Sequence, residues 1–392
     1  MHRKKMHFVF WAVVSFWAFV WSASAHATID ATADKVALRT SCTVGGTALN
    51  DCFTSWWTLS GWIQNTRRPN ASSPLEVDIG PGTFGPNLGA GAVSLYITCN
   101  PSAGYTGYIS FVGSGSNESI LTGQGGSSFS PLNVSSCTDL NFSNLQISNP
   151  NSGIAGYGAI EWSGGGISHW YDVQVIGNGR AWYEPTCGAT PGMHYWYSSQ
   201  LTATAAFSVG DTYDSKCDDS FFFGSQITLS VPSSSYGVNG GAAIEAHGSG
   251  MISMYGSHLR VFDDVAGSPA AAVWADTGGI IHIHGTGIEM LSDDGANLPV
   301  LNATSGGVID ATASSYSLSS TGGISRVDNY GGTGTILAPY LWPESATPPS
   351  VGSVTGADQV VITSTADGHP HLLIYDSTCS GSWYDTDLRA CY

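Results

Sequence analysis

The feature that most constrains this chain is a short motif that returns about every 28 residues. It reads small, then often Ser or Thr, then polar, then apolar: DVQV (172–175), SSQL (198–201), GSQI (224–227), GSHL (256–259), GTGI (285–288) and ASSY (313–316). An earlier copy, NLQI, ends at Ile147. The closing residues are Ile147, Val175, Leu201, Ile227, Leu259, Ile288 and Tyr316, separated by 28, 26, 26, 32, 29 and 28 positions. The one long interval contains the loop-like insertion VPSSSYGVNG (231–240). A second match lies fourteen residues upstream, in AIEW (159–162), AIEA (243–246), AVWA (272–275) and VLNA (300–303). Between the two run glycine turns and alternating apolar residues. A unit of three short strands cannot bury a core alone, but stacked copies can. The repeat therefore predicts an all-β parallel solenoid. Leucine-rich repeats lack this frame, and a propeller blade needs four longer strands.

VDIGPGTF (77–84) and YISFVGSGSNESIL (108–121) resemble the opening coils of the pectin-lyase-like right-handed β-helix superfamily. The resemblance implies a right-handed parallel β-helix over 76–345, with residues 28–75 and their Trp56, Trp57 and Trp62 capping the first coil. Caps are needed because an exposed coil edge invites edge pairing. Residues 346–392 read as a short disulfide-closed C-terminal appendage.

Arg3, Lys4 and Lys5 precede the apolar run FVFWAVVSFWAFVW (8–21), and Ala23-Ser24-Ala25 offers a small-x-small cleavage site. Residues 1–27 thus read as a signal peptide, too short to span a bilayer. Secretion to an extracellular or periplasmic space follows. Losing that segment removes three basic residues and no acid, moving the net charge from −17 to −20. Such a surface repels nucleic acid and anionic membrane. All eight cysteines lie beyond the segment, which suits disulfides. Cys42–Cys52, Cys99–Cys137, Cys187–Cys217 and Cys379–Cys391 are the natural pairs.

Strand periodicity sorts the second strand of each coil. Phe142, Trp170, Trp196, Phe222, Met254, Ile283 and Ala311 form a uniformly apolar inward column. The two flanking columns must face outward, because side chains alternate along a strand. One holds His169, Tyr195, Phe221, Ser253, His282 and Asp310; the other holds Tyr171, Tyr197, Phe223, Tyr255, His284 and Thr312. Stacked rings can cover one another at the coil spacing of about 4.8 Å. They can also bind sugar, since pyranose C–H faces pack on aromatic rings. Tyr171, Tyr195, Tyr197, Phe221, Phe223 and Tyr255 are accordingly the candidate polysaccharide-binding residues. The loop 176–194, with Trp182 and Tyr183, is a candidate cover for them.

Asp218 and Asp219 stand where other coils carry glycine and an apolar residue, as in Gly250-Met251 and Gly279-Ile280. Paired carboxylates suit general acid/base cleavage, and equally suit calcium or a turn that caps its own backbone. His282 and Asp310 form a second acid/base candidate. Ser253 shares their column, but its hydroxyl stays near the backbone, so activation as a nucleophile is not expected. His282 and His284 present two imidazoles on one side of a strand, short of the count a metal site needs. No metal site is assigned.

Family motifs transfer only in part. DSFFFG (219–224) is similar to the D-F-I-F-G segment of pectin methylesterases, with its aspartate displaced and Ser220 in the slot. Asp218-Asp219 followed by His247-Gly248 is similar to part of the polygalacturonase pattern, whose N-T-D and R-I-K elements are absent. The basic cluster of pectate lyases is missing, with Arg180, Arg260 and Arg326 scattered. The expected function is a carbohydrate-active protein that cleaves or de-esterifies a polysaccharide. The alternative is a non-catalytic surface, adhesion or glycan-binding protein.

Overall fold

A computed structural model of the chain describes residues 30–85, 95–123, 130–149, 158–188, 191–204, 211–231, 241–263, 271–292, 300–320 and 334–337, and the strands Gln359–Thr363, Pro370–Tyr375, Trp383–Asp385 and Ala390–Cys391. The expected signal peptide lies outside these residues. Strands wind into an all-β parallel solenoid with three faces. Face one is an eight-stranded sheet from Leu95–Thr98 to Leu301–Ala303, including Arg180–Tyr183, Tyr213–Ser215, Ala242–His247 and Ala271–Asp276. Face two runs from Leu75–Ile79 through Ile167–Tyr171, Met193–Tyr197, Asp219–Phe223 and Met251–Tyr255. Face three includes Gln174–Asn178, Gln200–Thr204, Gln226–Val231 and His258–Asp263. The strands Ile280–Ser292 and Val308–Ser320 continue from face two into face three without a break.

The repeat is the register of face three. Ile147, Val175, Leu201, Ile227, Leu259, Ile288 and Tyr316 are paired in sequence, each on the next coil. The motif's first, small residue is the corner between faces two and three. Asp172, Ser198, Gly224, Gly256 and Gly285 all sit there in the left-handed region, with φ of 50–58°. Glycine, aspartate and small polar residues tolerate that turn best. The second residue points inward, and its hydroxyl links coils along the axis. Ser199 N–H donates to Ser225 Oγ, Ser225 N–H to Ser257 Oγ, and Ser257 N–H to Thr286 Oγ1, at 3.2–3.4 Å. On the outward third residue, Gln226 Nε2 donates to Thr228 Oγ1 of its own strand.

Two aromatic stacks fill the core. On face two, Phe111, Phe142, Trp170, Trp196 and Phe222 stack at centroid distances of 4.1–5.8 Å. On face one, Trp162, Trp182 and Tyr213 stack at 5.3–5.6 Å. The stacks meet edge-on, as in Trp182–Trp196 at 85°. Every residue of the expected inward column is fully buried. Trp182 corrects an expectation: 180–183 is a face-one strand, so this ring lies in the core instead of covering the outer rings.

At the N-terminal end, the helix Trp56–Trp62 is capped by the Ser55 side chain. Its Trp56 lies edge-on to Phe111 at 5.6 Å, continuing the core stack. At the other end, Gln359–Thr363 pairs parallel on Thr335–Leu337, and the next three strands pair antiparallel. Disulfides join Cys42 to Cys52, Cys99 to Cys137 and Cys187 to Cys217. Cys391 is also disulfide-bonded; its expected partner, Cys379, lies outside the described residues.

Candidate functional site

The outer surface of face two is a double column of parallel rings. His169, Tyr195 and Phe221 stack at 5.1 Å. Beside them Tyr171, Tyr197, Phe223, Tyr255 and His284 stack at 4.8–5.6 Å. Phe223 is thus sandwiched between neighbouring rings, whereas Phe221 has a ring on one side only. Each column is interrupted by a small residue, Ser143 beside Tyr171 and Ser253 beside Phe221. Tyr171 and Tyr255 remain 42% and 40% exposed. The expected position of Thr312 is shifted: a bulge pairs His284 with Ala313.

The two neighbouring aspartates part company. Asp218 is 1% exposed and turns beneath the preceding coil. There it accepts from Gly192 N–H at 2.6 Å and pairs with His194 Nε2 at 3.0 Å. A β-carbon on Gly192 would lie 2.7 Å from that carboxylate, which would have to move to admit one. His194 Nδ1 meets Ser168 Oγ at 2.8 Å, and Trp170 Nε1 donates to the same oxygen at 2.7 Å. These are the residue types of a hydrolytic triad, but all are walled into the core. Their geometry holds an inward histidine in place, with both Asp218 oxygens taken up by Gly192 N–H and His194 Nε2. Asp219 faces outward between Met193 and Met251. Burial and the Asp218 charge raise its carboxyl. A coil separates it from His282.

His282 does lie beside Asp310 on the next coil, with Ser253 buried on the coil before. His284 joins that pair.

The densest group of ionisable side chains is on face one. Tyr183, Asp214, Glu245 and Trp274 occupy one column on consecutive coils. Because these strands alternate, the column points away from the Trp182–Tyr213 stack. Arg180 approaches Asp211 at 3.0 Å and Asp214 at 3.3 Å. Asp211 also accepts from Ala242 N–H at 3.0 Å. His247 Nε2 lies 2.9 Å from Glu245 and 3.6 Å from Asp214, while its Nδ1 lies 3.6 Å from Asp276. Asp211, Asp214 and Glu245 are buried, yet His247 is only partly so. Asp214 Oδ1 is buried without a hydrogen-bond partner.

Like charges close together with little water favour protonation. Burial, then the Asp211 charge, pushes the Asp214 carboxyl up to about 6. The same two causes raise Glu245 well above the usual range. Burial would lower His247, but its bond to Glu245 and the charges of Glu245, Asp214 and Asp211 carry it up to about 9. Both rises cannot be complete together, since the histidine's depends on an ionised Glu245. Their side chains lie 2.9 Å apart, close enough for the two titrations to be linked. Three carboxylates against Arg180 and His247 leave a surplus negative charge, which favours keeping a proton there.

Nearby, Glu184 is buried and its Oε2 accepts from the N–H groups of Lys216, Cys217 and Asp218. It anchors the turn that Cys187–Cys217 clamps.

Asp211 and Asp214 lie just upstream of the Asp218-Asp219 pair in sequence, and His247 entered the sequence reading only as a motif fragment. The signal for Glu245 was present in AIEA, whose third residue is the outward one.

Within the described residues, no helix is long and apolar enough to cross a membrane. No protein-family model, curated protein or solved structure matches the chain.

Proposed function

We propose that the chain is a secreted member of the pectin-lyase-like right-handed β-helix superfamily, and that it cleaves a polysaccharide on the outer surface of face one. The disulfides and the apolar N-terminal run support export to an oxidising compartment. One observation carries the catalytic reading. Asp214 presents an unsatisfied, buried carboxylate oxygen beside the proton-holding Glu245 on the next coil. Two carboxyl groups with separated proton affinities are what acid/base glycoside hydrolysis requires. Glu245 donates its proton to the leaving glycosidic oxygen, and ionised Asp214 takes one from the attacking water. Arg180 and His247 offset the charge of the group. Tyr183 and Trp274 flank the carboxylates one coil step to either side; the Arg180 guanidinium sits over the Tyr183 ring at 4.2 Å, which leaves Trp274 as the ring for a neighbouring sugar.

The test is product release from a panel of neutral and acidic polysaccharides. New reducing ends, lowered about 10²- to 10⁴-fold by Glu245→Gln, are the expected result. Ultraviolet absorbance of unsaturated uronates would instead indicate elimination, and acid release without new ends would indicate de-esterification. Turnover unaffected by Glu245→Gln would overturn the assignment.

A non-catalytic glycan-binding or adhesion role is the second reading. It is favoured by the exposure of Tyr171 and Tyr255, with Tyr195, Tyr197, Phe221 and Phe223 completing that surface. Binding without turnover, weakened by Tyr171→Ala, would support it.

A further inference from the structure

We infer that the C-terminal end of the face-two ring columns is a divalent transition-metal site, formed by His282, His284 and Asp310 and suited to Zn²⁺. Each residue offers one ligand atom, and these atoms all lie within 4.8 Å of one another. The topology explains the convergence. His282 and His284 share one side of a strand, and the register places Asp310 beside His282 on the next coil. Between Asp310 and Ala313 the later strand carries one more residue than separates His282 from His284. Such a bulge re-aims side chains where a regular ladder would only stack them. The imidazole planes are nearly parallel, at 10°, with centroids 6.1 Å apart. All three side chains are half-buried, so an ion can enter without opening the core.

The donor set selects the metal. Two imidazoles and one carboxylate suit borderline cations such as Zn²⁺, whereas calcium and magnesium prefer all-oxygen shells. Disulfide formation marks an oxidising setting, which favours a redox-inert ion over ferrous iron. Bonds of about 2.0–2.1 Å require the three side chains to draw in slightly. Three protein ligands leave a fourth position for water. The site is on a different face from the carboxylate group, so neither reading depends on the other.

The test is calorimetric titration of the full chain with ZnCl₂ at neutral pH, followed by Co²⁺ substitution to read coordination from visible absorption. The expected result is one saturable equivalent whose affinity falls more than about 100-fold in His282→Ala and in Asp310→Asn, beyond what outer-shell changes cost. His247→Ala should keep it. Asp310→Asn preserves side-chain size, and an unchanged circular dichroism spectrum separates ligand loss from misfolding. No saturable binding would overturn the site, as would binding untouched by His282→Ala and Asp310→Asn or binding lost with His247→Ala.

Discussion

Face one and face two expose the same geometry, with side chains repeated at a coil step of about 4.8 Å, yet they behave in opposite ways. On face two the repeated groups are rings, which attract at that spacing and cover one another. On face one they include Asp214 and Glu245, and burial together with the nearby Asp211 charge raises both carboxyls above their ordinary values. The solenoid is a ruler, and residue type decides whether a column becomes inert packing or stored charge. The unsatisfied oxygen of Asp214 is a consequence on the charged side. Nothing equivalent arises within the Tyr171-to-Tyr255 column, where each ring has a ring as its neighbour.

The largest expected effect compares the two sides of face two. Trp196→Ala removes a ring from the buried stack and should cost about 3–5 kcal/mol of stability. Tyr197→Ala, the adjacent outward ring, should cost only about 1 kcal/mol from lost stacking, measured by denaturant unfolding. Equal losses would mean that the outward rings are as integral to folding as the core.

An intermediate effect separates the faces. A carboxyl whose folded pKa is raised binds its proton more tightly when native. Asp214 therefore favours the folded state most below its ordinary value of 3.8, and that contribution declines as pH rises to about 6. Asp214→Asn should thus raise the melting temperature at pH 7 by about 2–4 °C and leave it unchanged at pH 4. Reduced turnover should accompany the gain, the usual exchange at a strained site. A lower melting temperature at pH 7 would show that the bond to Arg180 outweighs the repulsion. The smallest effect should come from His247, because its rise from 6.5 toward about 9 is complete only where Glu245 is ionised. Its contribution is fully present below 6.5 and disappears as pH climbs through 9. His247→Gln should therefore flatten a shallow alkaline decline in stability.

Much of this architecture was legible in the sequence, because each coil must bury an apolar residue at the same place. The markers from Ile147 to Ile288 and the column from Phe142 to Ala311 follow from that demand alone. The outward rings were legible by alternation. The charged column was harder to see, since AIEW, AIEA, AVWA and VLNA draw the eye to their apolar letters. Glu161, Glu245, Trp274 and Asn302 are the outward residues of those same words. Asp218 was obscure for a different reason. Its partner His194 points inward among Ser168 and Ser220, and periodicity gives no warning that a core histidine needs a carboxylate. The Ile280–Ser292 bulge partner was also beyond periodicity, because one extra residue leaves the repeat length almost unchanged.

Carbon-13 titration of the side-chain carboxyls tests the contrast between the faces most directly, since it needs no substrate. A carboxyl resonance with a midpoint of about 6 that vanishes in Asp214→Asn is expected, together with a Glu245 signal raised above its ordinary range. Asp214 and Glu245 both titrating in the ordinary carboxylate range would contradict it.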